Sequence, residues 1–181
     1  MIDVQVDVNK VIERWDNLVF FQRQLPAYLQ TAVQDTLDEG RELLVDELEQ
    51  AINAPREVLN TRVGRTMARN PVRPRYEGDI FIKATPIALK VFSPRQGEKG
   101  VYYRPYRSGS TKFVRGAFGP DIRRLGRGVY KRQGRKRLRI RREPGLSLAD
   151  DPRAMGAVDA ASAQMDGLLW ENVDEQITNL C

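Results

Sequence analysis

Charge along this 181-residue chain is sorted into three consecutive blocks, and the sorting limits which segments can share a surface. Residues 1–61 carry 5 basic and 12 acidic side chains, residues 62–144 carry 24 and 5, and residues 145–181 carry 1 and 7. The block charges of −7, +19 and −6 sum to the net +6. Fields follow local charge, so the partition says more about partners than the total does. Its extreme is "RGVYKRQGRKRLRIRREPG" (127–145), with nine Lys and Arg and no acid in the sixteen positions 127–142.

Each block has its own periodicity. After Pro26, the apolar residues Leu29, Val33, Leu37, Leu44, Leu48 and Ile52 recur at helical spacing, with Gly40 in the gap of the stripe. Asp35, Asp38, Glu39, Glu42, Asp46, Glu47 and Glu49 form a solvated acidic face. Upstream, Val8, Ile12 (or Val11), Trp15 and Val19 make a shorter stripe, either a separate helix or one joined through a kink at Pro26. In the last block Asp151 predicts an N-cap and Pro152 a first helical residue. Met155, Val158, Ser162, Met165, Leu169, Val173 and Ile177 then share one face. Both stripes predict core packing.

The middle block predicts strands at 79–84 and 87–93 joined through Thr85–Pro86, then at 99–106, a turn at 107–110, and a strand at 111–118. Residues 128–142 divide at Gln133–Gly134 into a hairpin. Stretches 53–78 and 93–99, rich in Pro, Arg and Gly, read as loops. The expected fold is α+β: a long N-terminal helix or helix pair, a central mostly antiparallel sheet with a basic hairpin, and a C-terminal helix. With 41% hydrophobic residues a single domain is expected over 1–181, made of an acidic helical part (1–61), a basic β part (62–144) and an acidic C-terminal helix (145–181).

Several function classes find no support. The longest apolar run, "LVFF" (18–21), is far short of the ~20 residues that cross a membrane. The first ten residues lack the basic start and apolar block of a secretory leader, so synthesis in the cytoplasm is expected. Histidine is absent and Cys181 is the one cysteine, which removes His/Cys zinc sites, internal disulfides and His-based triads. No nucleotide-binding glycine motif or nucleophile elbow occurs. A metal-dependent hydrolase would have to draw on Asp79, Glu98, Asp121, Glu77 and Glu143. The expectation is a non-enzyme without a cofactor.

The candidate site is therefore the basic hairpin. On a strand, Leu138 and Ile140 point one way while Arg137, Arg139 and Arg141 point the other. With Arg132, Arg135, Lys136 and Arg142 they form an interface-forming or DNA-facing set. Like charges along one face repel unless something negative is near. Three sources remain open: nucleic acid, with Tyr102, Tyr103, Tyr106 and Tyr130 as stacking platforms; the acidic helices of this chain or of an identical neighbour; or water and counterions. No named nucleic-acid module fits, and the basic residues sit on strands and loops, so sequence-specific DNA reading is not expected.

"RGAFGPDIRRLGRGVYKRQGRKRLRIRREPGLSL" (115–148) resembles the signature region of the phage minor tail protein Z family. The matching residues are Gly116, Ala117 and Phe118; Gly128, Val129, Tyr130, Arg132 and Gly134; and Arg137, Leu138 and Ile140. "DIFIKATPIALKVFSPRQGEKGV" (79–101) also resembles the family's preceding strands. Arg139 stands where the family usually has Pro, and "EPGLS" (143–147) replaces its common "GPS". The likeness extends over about residues 25–178, with its specific part in 79–148. It implies a structural virion protein that completes the head-proximal end of a phage tail and prepares it for joining to the head. It further implies a homo-oligomeric ring, six-fold related, touching the tail terminator or tube protein on one side and head-tail connector or neck proteins on the other. Non-specific contact with genomic DNA, and a place in the tail or neck of the virion, go with that expectation. The alternative from another class is a non-specific basic nucleic-acid-binding protein.

Overall fold

A computed structural model of the protein describes residues 2–7, 25–70, 75–119, 121–122, 126–134 and 140–178. Its contacts divide the chain into two compact units: Met1–Glu47, Val63–Ile82 and Ala157–Cys181 form the first, and Leu48–Arg62 with Lys83–Gly156 the second. The architecture is α+β, with a long helix ahead of the strands, a second one after them, and antiparallel pairing in every ladder described.

In the first unit, β1 (Ile2–Asp7), β2 (Val63–Asn70) and β3 (Arg75–Ile82) form a sheet in the order β1-β3-β2, with Gly78 of β3 opposite Val4 and Met67. Along β3, Tyr76, Gly78 and Ile80 are buried while Glu77, Asp79 and Phe81 are half-buried, the period-two signature of a sheet with one core face. Helix α1 (Leu25–Ala51) supplies Leu29, Val33, Leu37 and Leu44 to this core, none more than 1% exposed. A Cβ at Gly78 would run into the Leu37 side chain, with Cδ2 at 2.9 Å. The missing side chain lets the helix close on the sheet.

The gap in the α1 stripe has a similar cause. A Cβ at Gly40 would stand 2.6 Å from Met165 Cε and 3.0 Å from Ile80 Cδ1. Met165 belongs to α2, numbered here for the long C-terminal helix Pro152–Thr178. A mid-helix glycine costs about 1 kcal/mol relative to alanine. Burying one leucine contributes about 2 kcal/mol, so the leucines of the stripe outweigh it. Asn172, on α2, donates from Nδ2 to Thr36 Oγ1 at 3.2 Å and to Glu39 Oε2 at 3.1 Å, and Thr36 Oγ1 donates to the Ala32 carbonyl at 2.7 Å. Both Thr36 and Asn172 are buried, so these bonds satisfy groups that would otherwise be desolvated without a partner.

The second unit holds a short helix at Arg56–Asn60, a 3-10 turn at Leu89–Phe92 and three small sheets. One is β4 (Arg95–Gly97), β5 (Gly100–Tyr103) and β6 (Lys112–Arg115), with β5 in the middle. Another joins β7 (Ala117–Phe118), β10 (Tyr130–Arg132) and β11 (Ile140–Arg142), with β10 in the middle, and β8 (Asp121–Ile122) pairs with β9 (Gly126–Arg127). Asp151 caps α2 as expected: its Oδ1 accepts from the backbone N–H of Arg153 at 3.0 Å and of Ala154 at 3.3 Å.

Several local expectations are corrected. Residues 87–93 are not a strand. Ile87 makes a single antiparallel bridge to Leu146, and the buried residues Leu89 and Phe92 are spaced by three, the period of the 3-10 turn. Ser93 ends that turn with φ 47°, in the left-handed region. Residues 53–78 are not a loop but contain the 56–60 helix, β2 and the start of β3, while 93–99 contains β4. Residues 111–118 split into β6 and β7, which lie in different sheets, because Gly116 turns the chain with φ 71°. On α2, Met155 and Ser162 are exposed, and the small residues Ala154, Ala157 and Ala161 are buried instead; Met165, Leu169, Val173 and Ile177 are buried as expected. The stripe at Val8, Val11, Ile12, Trp15 and Val19 lies outside the described residues.

Candidate functional site

The basic hairpin is present, with a different register from the one expected. The β10–β11 ladder pairs Tyr130↔Arg142, Lys131↔Arg141 and Arg132↔Ile140. A two-residue turn at Gln133–Gly134 would have paired Arg132 with residue 135 and is therefore not formed. Gly134 does take a left-handed conformation, with φ 75°. The backbone N–H of Glu143 donates to the Val129 carbonyl at 2.9 Å beyond the end of the ladder.

Register decides which side chains share a face. Lys131 pairs with Arg141 on one side and Ala117 on the other, so these three form one cross-strand row. Tyr130 joins Phe118 and Arg142 on the opposite face, where the Phe118 and Tyr130 ring centroids are 6.4 Å apart. Ile140 is half-buried on that same face, and Arg141 is exposed on the other. The alternation expected for Ile140 and Arg141 therefore holds. Arg135, Lys136, Arg137, Leu138 and Arg139 lie outside the described residues.

Four of the remaining signature residues play packing roles, while Gly116 and Gly134 are exposed. Ala117, Gly128 and Val129 are buried and Phe118 is half-buried. Arg132 places its guanidinium 5.7 Å from the Phe118 centroid, a cation–π contact. Among the described residues, no acid lies within ion-pair distance of Lys131, Arg132, Arg141 or Arg142. All four are exposed. Among the described residues, the positive charge of this small sheet is thus not paired with an acid.

The first unit carries the opposite field. A groove of about 530 Å³ is lined by Asp38, Glu39, Glu42 and Asp46 around Leu43, and by Gln164 and Leu168. Arg65 Nε pairs with Asp38 Oδ1 at 2.7 Å. Nearby, burial together with the repulsion of Glu39, Asp38 and Glu175 raises the carboxyl pKa of Asp35 above its usual 3.8, although Gln176 donates to its Oδ2 at 3.3 Å. Burial is the larger cause, and the three carboxylates around Asp35 add to it.

A polar cluster in the second unit was not legible in the sequence. The Tyr106 hydroxyl donates to Asp151 Oδ2 at 2.6 Å, and Lys112 Nζ donates to that hydroxyl at 3.2 Å. The Tyr106 bond holds the Lys112 ammonium above its usual pKa. Arg153 stacks 4.2 Å from the Tyr106 centroid and donates to the Ser108 carbonyl. This cluster fastens the 104–112 loop to the start of α2. It accounts for Tyr106 as a structural residue, and burial does the same for Tyr103, whose ring lies 6.3 Å from Phe92. Of the four tyrosines read as stacking platforms, Tyr102 alone is more than one-third exposed, at 46%.

Among the described residues, no group of three or more Asp, Glu, His or Cys is placed to hold a metal ion, and no helix is long and apolar enough to cross a membrane. No family model matches the chain, and no curated protein or solved structure is significantly similar to it.

Proposed function

We propose that this chain is a structural protein of a tailed-phage virion, a tail-completion or neck component whose copies form a ring at the head-proximal end of the tail and help join it to the head. It is not an enzyme in this reading. The observation that carries the proposal is the exposed basic ladder of Lys131, Arg132, Arg141 and Arg142, which has no acid partner among the described residues, on a chain whose other unit carries an acid-lined groove. A polypeptide that stores opposite fields on separate units suits a head-to-tail contact between copies, the type that closes into rings. The likeness of 115–148 to the tail protein Z signature supplies the biological setting.

The test is assembly of purified chain with tails that lack their head-proximal cap, followed by electron microscopy and sedimentation. Lys131→Glu, Arg141→Glu and Arg142→Glu together are expected to abolish capped tails while leaving the unfolding midpoint within error. Reversing Glu39 and Glu42 to Lys in the same chain is expected to restore them. Normal capping by the triply reversed chain would remove the hairpin from the interface, and wild-type chain that never caps tails would remove the function.

A further inference from the structure

The Tyr102–Phe113 pair is an exposed aromatic surface that the assembly reading does not use. Tyr102 is 46% and Phe113 41% exposed, and they are two of three large apolar residues so open among those described. They pair across β5 and β6, with ring centroids 4.6 Å apart and planes inclined by 34°. Arg95 of β4 stands in the same cross-strand row. The next row on that face is Gly97, Gly100 and Arg115.

The glycines explain why the rings lie down. A Cβ at Gly97 would be 2.7 Å from Tyr102 Cε2, and one at Gly100 would be 2.8 Å from the Phe113 ring. Each ring therefore lies against a glycine and still keeps more than two-fifths of its residue's surface exposed. Such covering stabilises a small sheet. That role requires neither basic neighbours nor a depression beside the rings, and both are present.

The depression, of about 640 Å³, is lined by Glu98, Lys99, Tyr102, Phe113 and Arg115. Residues 95–115 hold six basic side chains (Arg95, Lys99, Arg104, Arg107, Lys112, Arg115) against one acid, Glu98. Among the described residues, Arg95, Lys99 and Arg115 have no ion-pair or hydrogen-bond partner for their side chains. Exposed aromatic rings offer stacking to any base, and flanking guanidinium groups match phosphates.

We propose that the β4–β5–β6 face binds a single-stranded polynucleotide, with Tyr102 and Phe113 stacking bases and Arg95, Lys99 and Arg115 holding phosphates. The contacts are to base faces and phosphates, so they do not distinguish deoxyribose from ribose. A duplex, whose base faces are already stacked, fits poorly. This site is separate from the hairpin and does not depend on the proposed role in tail completion.

The 181-residue chain is titrated by fluorescence anisotropy into labelled oligo-dT, oligo-rU and a duplex, each about 15 nucleotides long, within the range of small stacking surfaces. The dT and rU strands are expected to bind within about threefold of each other and at least tenfold tighter than the duplex at the same salt. Tyr102→Leu with Phe113→Leu is expected to weaken strand binding at least tenfold, because the stacking surface is lost, and to leave the salt dependence unchanged. Tyr102→Trp retains binding. Arg95→Gln with Arg115→Gln lowers the log–log salt slope by about 1.4, from ~0.7 per phosphate contact. Circular dichroism checks that each variant is folded, and photo-crosslinking of the wild-type strand complex maps to Tyr102 or Phe113. Preference for duplex, crosslinks confined to the hairpin, or full binding by the doubly leucine-substituted chain would overturn the proposal.

Discussion

The hydroxyl of Tyr106 donates to the same Asp151 carboxylate whose other oxygen caps helix α2, at 2.6 Å for the tyrosine and 3.0 Å for the Arg153 amide. One buried carboxylate thus ties a loop and a helix start together. Tyr106→Phe is expected to destabilise the protein by about 1.5–3 kcal/mol, the scale of a hydrogen bond to a charged group. Asp151→Ala adds the loss of the cap, about 1 kcal/mol. Chemical denaturation of both single variants and the double variant measures the coupling. Strict additivity would show that the Tyr106–Asp151 bond contributes nothing to stability.

Gly78→Ala is expected to cost about 1–3 kcal/mol, the usual effect of overpacking a filled core. The added methyl meets Leu37, which is fully buried and has nowhere to move. Leu37→Ala should cost less on the Gly78→Ala background than in the wild-type chain, because it also removes the clash, as read from thermal unfolding midpoints.

Gly145→Ala is expected to be worse. Its Cβ would fall on the Ile87 carbonyl, which is backbone, and would break the paired bonds Ile87 N–H to Leu146 O at 2.8 Å and Leu146 N–H to Ile87 O at 2.9 Å. A loss of about 3 kcal/mol or more is anticipated from two bonds and a displaced chain. Hydrogen exchange at Ile87 and Leu146 locates the damage.

Asp35 sets a sign for pH dependence. Its folded pKa is raised, first by burial and then by Glu39, Asp38 and Glu175. The folded state therefore binds a proton more readily than the unfolded chain, and this residue's contribution to stability improves as pH falls through the raised value toward 3.8. Above that window the ionised carboxylate destabilises the fold. Asp35→Asn, which still accepts from Gln176, is expected to be more stable than wild type at pH 7 and to lose the advantage in acid. Denaturant midpoints at several pH values decide the matter. A less stable variant at pH 7 would reverse the assignment.

The contrast between α1 and β2 shows what local pattern can carry. Leu29, Val33, Leu37, Leu44 and Leu48 announce their helix because each apolar residue faces the core by itself, and all five are buried. "VGRTMARN" (63–70) does not announce a strand, since among residues 63–68 Val63 alone is buried and the strand's conformation comes from eight backbone pairings with β3. "IDVQVD" (2–7) did alternate, a period-two signal overshadowed by the helical stripe that follows it. In the candidate site, the alternation of Ile140 and Arg141 was readable from spacing alone. The hairpin register was not, because a Gln-Gly pair suggests a turn without fixing which residues face each other across it. Phe113 carries no such signal by its residue type, but its neighbour Val114 takes the inner position and so turns Phe113 outward.

β11 is an edge strand within the described sheet, paired to β10 on one side. Its outer backbone groups are a template on which another strand can add, and a bare apolar edge of that kind invites fibrils. Two β11 edges brought side by side would set Arg141 and Arg142 of one molecule against those of the other. That repulsion guards the free polypeptide from runaway self-pairing at high concentration, and it gives any stack of copies a polarity, because an edge so charged welcomes a different surface before it welcomes its own twin.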